Sequence, residues 1–152
     1  MNIVPFHENY AEAFYNLNIE WLETYFYVEA YDREVLSNPH HYIIEPGGHI
    51  FFAVENGTVL GTVALLKRGK HAYELTKMAV LPKSRGIQVG QKLMQYCIDF
   101  AVENKFQKLF LYSNTMLANA IHIYKKYGFV EVSLEQPNPY ERSNIKMNYI
   151  FS

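Results

Sequence analysis

Between His49 and Asn104 the chain is punctuated so regularly that few folds can hold it. Pro46-Gly47-Gly48 reads as a turn, and the apolar run from Ile50 to Glu55 ends in Asn56-Gly57. Asn-Gly between two strand-like runs favours a type I′ hairpin turn, because both central residues must take positive φ. Thr58 to Lys67 is then a second strand, Arg68-Gly69-Lys70 a second reversal, and Ala72 to Leu81 a third strand. Three consecutive antiparallel strands make a meander. The meander runs straight into an amphipathic helix over Gln88 to Asn104, with Val89, Leu93, Cys97, Phe100 and Ala101 on one face. A meander in this place argues against a dinucleotide-binding βαβ unit.

The flanks complete one domain. Asn2 to Phe6 is strand-like, and Phe14, Leu17, Trp21, Leu22, Tyr25 and Phe26 recur at helical spacing. A second helix is expected with Asp32 as its cap, running through Val35 and Leu36 and stopping near Ser37-Asn38-Pro39, because proline disfavours helix in the residue before it. Lys108 to Tyr112 reads as a short buried strand, Thr115 to Tyr127 as a helix closed by Gly128, and Phe129 to Leu134 and Asn144 to Phe151 as strands. The order β, α, α, β, β, β, α, β, α, β, β has no linker or internal repeat. A single mixed α/β domain over residues 1–152 follows.

Composition narrows the function classes. With 152 residues, 49% of them apolar, and 13 Tyr and 10 Phe, the chain can offset its ordering entropy, which excludes disorder. A formal charge of −1 lacks the basic excess that nucleic-acid binding uses. The charge is polarised, however: Met1 to Glu34 holds seven acidic residues and one base, so the rest of the chain is net positive. Cys97 is the only cysteine, so no internal disulfide forms, and the N-terminus has no leader pattern; a cytoplasmic location is expected. The longest uncharged run, Leu109 to Tyr124, has 16 residues and several polar ones, which predicts no membrane span. His40 and His41 are adjacent and no His-x-x-x-His or Cys-x-x-Cys occurs, so no metal site is expected. Cys97 lies on an apolar helix face and reads as core rather than nucleophile.

The chemistry concentrates in Glu74 to Met94: a strand, a tight basic turn containing glycine, then the start of a helix. Such a turn points backbone N–H groups and a helix N-terminus at one spot, which suits a phosphate or pyrophosphate. Residues 75–98 contain Lys77, Lys83, Arg85 and Lys92 and no acid. Arg85-Gly-Ile-Gln-Val-Gly, preceded by Met78-Ala-Val-Leu-Pro, resembles the pyrophosphate signature of the GNAT superfamily of acyl-CoA-dependent N-acyltransferases. Ala120-Ile-His-Ile-Tyr-Lys-Lys-Tyr-Gly-Phe129 resembles that family's second signature. Two motifs in the right order and separation are far more specific than either alone. The resemblance implies a GNAT-like fold, a central, mostly antiparallel sheet flanked by about four helices.

Site roles follow from the resemblance position by position. The backbone of Met78, Ala79 and Val80 would pair with the pantetheine arm of acetyl-CoA. The amides of Gly86, Ile87, Gln88, Val89, Gly90 and Gln91 would cradle its pyrophosphate, with Arg85 and Lys92 adding charge. Tyr124 matches the family's general acid, a phenol that can protonate the leaving thiolate; the same residue also fits plain packing on an apolar helix. Glu74 stands where family members carry a base for the acceptor amine. In period-two alternation it shares a face with Thr76, Met78 and Val80. Its alternative is a surface glutamate paired with Lys67 or Arg68.

Two positions depart from the family pattern. Gln88 replaces a glycine where close backbone approach to phosphate is expected, and Leu117 replaces an asparagine. Asn119 is about 200° around the helix from Leu117, so Asn114 becomes the candidate pantetheine contact. Acceptor contacts are expected from Tyr25, Glu29, Tyr31, Asp32, Tyr140 and Arg142. The reading is therefore an acetyl-CoA-dependent N-acetyltransferase without a metal, acting by direct attack in a ternary complex on a small-molecule or peptide amine. The acidic N-terminal segment makes that amine cationic, and a homodimer through the exposed last strand is a further expectation. The rival is a non-catalytic coenzyme A or partner-binding module on a degenerate scaffold of the same family.

Overall fold

A computed structural model of the chain describes residues 1–85 and 88–152. Among them the order is β1 (Asn2–Pro5), α1 (Ala11–Tyr25), α2 (Ala30–Ser37), β2 (His49–Glu55), β3 (Thr58–Gly69), β4 (Ala72–Val80), α3 (Val89–Glu103), β5 (Lys108–Ser113), α4 (Ala118–Lys126), β6 (Phe129–Val132) and β7 (Ile145–Tyr149). The strands form one sheet in the order β1-β2-β3-β4-β5-β7-β6. Neighbours are antiparallel except β4 and β5, which run parallel.

Strand alternation divides the core in two. On β2, Phe51 and Ala53 pack with Val89, Leu93 and Cys97 of α3, while Ile50 and Phe52 pack with Phe14 and Leu22 of α1. Each fully enclosed side chain of this kind stabilises the fold by roughly 1.5–3 kcal/mol. Thus α1 and α2 cover one face of the sheet, and α3 and α4 the other.

Several boundaries differ from the sequence reading, each for a local reason. The Asn56-Gly57 turn has the expected positive φ at both residues, 50° and 78°. The next reversal falls later than Arg68-Gly69-Lys70: an irregularity between Lys67 and Gly69 lets β3 continue to a Gly69–Ala72 pair, and His71 takes φ 59° in the turn. Asp32 is not the cap of α2 but its third residue; Glu29 stands at the cap, and its N–H donates to Asp32 Oδ2 at 3.0 Å. The fourth helix begins at Ala118 rather than Thr115, because Asn114 Oδ1 accepts from Met116 N and Asn114 O from Leu117 N, both at 2.9 Å, which holds residues 114–117 in a turn. Gly128 closes that helix with φ 104°, as expected. The last strand, β7, is not an edge; it lies between β5 and β6.

The most consequential difference is in β4. Thr62 pairs with Ala79 and Ala64 with Thr76, so two steps on β3 oppose three on β4. The extra residue is a bulge at Lys77, whose φ is +55°. It reverses the alternation. Glu74 and Thr76 lie opposite Leu66 and Ala64, on the α1 face, whereas Met78 and Val80 pack on the α3 side. Glu74 therefore does not share a face with Met78, contrary to simple period-two counting.

Candidate functional site

The bulge also opens the sheet. Parallel pairing of β4 with β5 consists of Ala72↔Lys108, Tyr73↔Leu109 and Glu74↔Phe110. Beyond Glu74 the two strands diverge, and residues 75–80 keep a backbone edge facing β5 with no strand partner among the described residues. A cavity opens on each side of this split. The one on the α3 side has a volume of about 360 Å³, and the one on the α1 side about 270 Å³. Met78 and Tyr124 line both, so the cavities meet between them.

The α3-side cleft is bounded by Met78 and Val80, by Ser84, Arg85, Gln88, Val89, Gly90 and Gln91, and by Asn119, Ala120, Ile123 and Tyr124 on one face of α4. At its end α3 begins at Val89, with no acidic residue in the first turn, so the positive end of the helix dipole is unopposed there. Gln88 precedes it in the left-handed region, φ 65° and ψ 22°. Arg85 is anchored from the other side of the molecule: its guanidinium donates to Glu20 Oε1 at 2.6 Å and lies 5.6 Å from the ring centre of Tyr25. The Thr24 hydroxyl bonded to Glu20, helped by Arg85 and opposed by burial, holds the Glu20 carboxyl below its ordinary value.

The α1-side cavity is walled by side chains in closed polar pairs. Glu74 is 2% exposed; Oε1 accepts from Arg68 Nε at 2.9 Å and Oε2 from the Tyr140 hydroxyl at 2.8 Å. Arg68 also donates to the Tyr140 oxygen at 3.0 Å. Burial, with the Glu74 charge beside it, pushes the Tyr140 phenol well above its ordinary value. Opposite, Arg142 grips Asp32 with two nitrogens at 2.6 and 3.1 Å, tying the start of α2 to the segment between β6 and β7. Lys77, Glu29, Tyr31 and Glu141 also reach this cavity.

At the junction, burial raises the Tyr124 phenol above its ordinary value, and the Ser113 hydroxyl works in the opposite direction. A phenol held in its protonated form is a proton donor over the whole physiological range.

Comparison with known proteins supplies the family. The sequence profile described as the Acetyltransferase (GNAT) family matches residues 11–129. The chain belongs to the GNAT acetyltransferase family. A Schizosaccharomyces pombe protein named as an uncharacterized N-acetyltransferase is 30% identical over 106 residues, 68% of this chain and 65% of that protein. An Azospirillum brasilense protein named IAA acetyltransferase is 30% identical over 90 residues, 59% of each chain. The chain thus spans less than two thirds of either relative. In fold it is similar to a GNAT-family acetyltransferase from Staphylococcus aureus MU50, with a TM-score of 0.85, 21% identity and 97% of each chain covered.

The GNAT motifs locate most of the cleft. Met78, Val80, Arg85, Gln88, Val89, Gly90 and Gln91 line it, while Gly86 and Ile87 lie outside the described residues. Ala79 is buried away from it, and Lys92 does not reach it. Asn114 lines the opposite cavity, its amide engaged with Arg142 O and Met116 N, whereas Asn119, set aside by the helix-angle argument, is on the cleft wall. It lies four residues, about 40° of helix rotation, before Ile123, which lines the same wall. Glu74 is a buried residue, not a surface one, though it does pair with Arg68. Glu29, Tyr31, Asp32, Tyr140 and Arg142 line the α1-side cavity together; Tyr25 does not, lying half-exposed beside Trp21 and Arg85.

Two charge expectations are corrected as well. Lys77 faces the α1-side cavity rather than the basic turn, because the bulge reverses its side. Of the acids before residue 35, only Glu29 and Asp32 line that cavity, and Asp32 is paired. Cys97 is fully buried and its thiol is pushed far up by burial, consistent with a core role. Among the described residues no three His, Cys, Asp or Glu side chains gather as metal ligands, and no helix is long and apolar enough to cross a membrane.

Proposed function

We propose that the chain is an acetyl-CoA-dependent N-acetyltransferase that acts on a primary amine of a small molecule or peptide in a ternary complex. One observation carries this reading: two cavities approach from opposite faces of the sheet and meet at Met78 and Tyr124, so two substrates can be held in line without a covalent enzyme intermediate. The residues of the cleft fit acetyl-CoA. The unpaired edge of residues 78–80 offers strand-like hydrogen bonds to an amide-containing arm, and the start of α3 with Arg85 suits a pyrophosphate. When bound, acetyl-CoA supplies the activated acetyl thioester.

The chain then has two proton tasks. An alkylammonium must be deprotonated before it attacks, and Glu74 is the carboxylate on the acceptor side of the junction, acting directly or through a water. The departing thiolate needs a proton, and Tyr124 is a phenol kept protonated beside the cleft. Glu29 and Glu141 at the cavity wall favour an acceptor that arrives as an ammonium ion. The test is thiol release from acetyl-CoA with a panel of primary amines. Amine-dependent release is expected; coenzyme A binding with no release for any amine would support a non-catalytic module instead.

A further inference from the structure

Lys77 is a charged residue of the proposed acceptor cavity that the reaction scheme leaves unused. Its neighbours are matched: Glu74 with Arg68 and Tyr140, Asp32 with Arg142 and the Glu29 N–H. Lys77 makes no ion pair with any of the described residues, although it lines the cavity between those two pairs. Burial draws its pKa down; Glu74 and Asp32 act to hold it up, while Arg142 and Arg68 oppose them. Taking an ammonium out of water without a partner is costly, and the cost is recovered when an anion enters beside it.

The backbone makes the placement more telling. Lys77 sits in the left-handed region at φ +55°, a conformation that costs a non-glycine residue about 1–2 kcal/mol. The bulge needs a residue there, and glycine would meet that need with less strain. What lysine adds is a basic side chain among those lining the cavity. Arg142 stands nearby with only two of its five N–H donors engaged by Asp32. The wall thus presents a carboxylate, Glu74, and three residues further along the same strand a cation.

We propose that Lys77 binds a carboxylate of the acceptor, so that preferred acceptors are amines that also carry a carboxylate, as free amino acids do. The proposal rests on the N-acetyltransferase reading and specifies its substrate class. The acceptor's ammonium faces Glu74 and its carboxylate faces Lys77, which orients the nitrogen toward the junction at Met78 and Tyr124. This adds an anionic group to the cationic amine expected from charge polarity alone.

The experiment compares matched acceptors, free amino acids and their carboxamides, by thiol release from acetyl-CoA with the wild type, Lys77→Met and Lys77→Arg. In the wild type kcat/KM is expected to be about tenfold or more higher for the carboxylates, mainly through KM, as for one charge-assisted hydrogen bond. Lys77→Met should remove that preference and leave the carboxamides within about twofold. Lys77→Arg should keep most of it. Equal wild-type rates on both series, or an equal loss on both in Lys77→Met, would overturn the proposal while leaving the acetyltransferase reading intact. Should Lys77→Met not fold, the wild-type ratio and Lys77→Arg still decide. No release in either series, with release for another primary amine of the wider panel, would overturn this proposal alone, and no release with any amine of that panel would defeat the acetyltransferase reading and this inference with it.

Discussion

The α3-side cleft and the α1-side cavity share Met78 and Tyr124, yet they are built in opposite ways. The cleft draws most of its lining from one segment of chain, with Met78, Val80, Ser84, Arg85, Gln88, Val89, Gly90, Gln91 and Met94, plus one face of α4, and much of what it offers a ligand is backbone: a strand edge and a helix start. The cavity draws side chains from α1, α2, the bulge of β4, the end of β5 and the segment around Tyr140, and holds them with closed ion pairs. Backbone recognition suits a cosubstrate that never changes. Side-chain recognition can be exchanged residue by residue without disturbing the sheet, so under the proposed function acceptor choice would reside in the cavity.

The sharpest way to break this comparison is at the shared residue. Tyr124→Phe keeps the ring that packs against Phe129, 6.2 Å between ring centres, and removes only the hydroxyl. If the phenol donates the proton, turnover should fall on the order of 10²-fold, with coenzyme A affinity unchanged within about twofold. Single-turnover rates and coenzyme A titration measure the two separately. An unchanged chemical step across the pH profile would make Tyr124 a packing residue of the cleft wall and nothing more.

The same contrast explains what could be read from the chain. The meander, the order of elements and the basic turn are local: Asn56-Gly57 fixes its own hairpin, and the motif at Arg85 is contiguous. Tyr124 could be singled out because a family signature carries it, and Glu74 because it stands where family members often carry a base. The cavity was legible only as a list of candidates. Nothing in the sequence joins Asp32 to Arg142, or Arg68 to Tyr140 across 72 residues of chain. The bulge was not legible either. A lysine between Thr76 and Met78 continues a perfect alternation on paper, and a single inserted residue puts Glu74 and Lys77 on the α1 side and Met78 on the other.

A smaller effect probes the cavity's frame. Burial favours the protonated form of Asp32, but hydrogen bonds from Arg142 and from the Glu29 N–H, with the Arg142 charge, outweigh it and hold the carboxyl below its ordinary value. A carboxylate with a lower pKa folded than unfolded contributes stability above its unfolded value near 4, lost as pH falls through the folded one. Asp32→Asn should therefore cost about 1 kcal/mol at pH 7, given side chains that are mostly enclosed, and the difference from wild type should shrink below about pH 4. Urea midpoints at the two pH values check it. Acceptor KM should rise while coenzyme A affinity stays unchanged; a parallel loss of both would mean that the two cavities are one mechanical unit.

The smallest effect lies in the cleft, at Gln88. Its side chain is exposed, and its φ of 65° is one that glycine adopts freely. Relief of the left-handed conformation should contribute about 1–2 kcal/mol to Gln88→Gly, and the greater freedom of glycine in the unfolded chain should take back about 0.5–1 kcal/mol. The net expectation is a gain of about 0.5 kcal/mol, read as a higher denaturant midpoint at constant slope. If the cleft recognises its ligand through backbone alone, coenzyme A affinity should hold within about twofold, since the substitution leaves every N–H in place. A clear loss of affinity would show that the glutamine amide contributes a hydrogen bond of its own. The cleft would then depend on a side chain at the position where its signature elsewhere asks for none, and the division between backbone and side-chain recognition would run through the turn itself rather than between the two cavities.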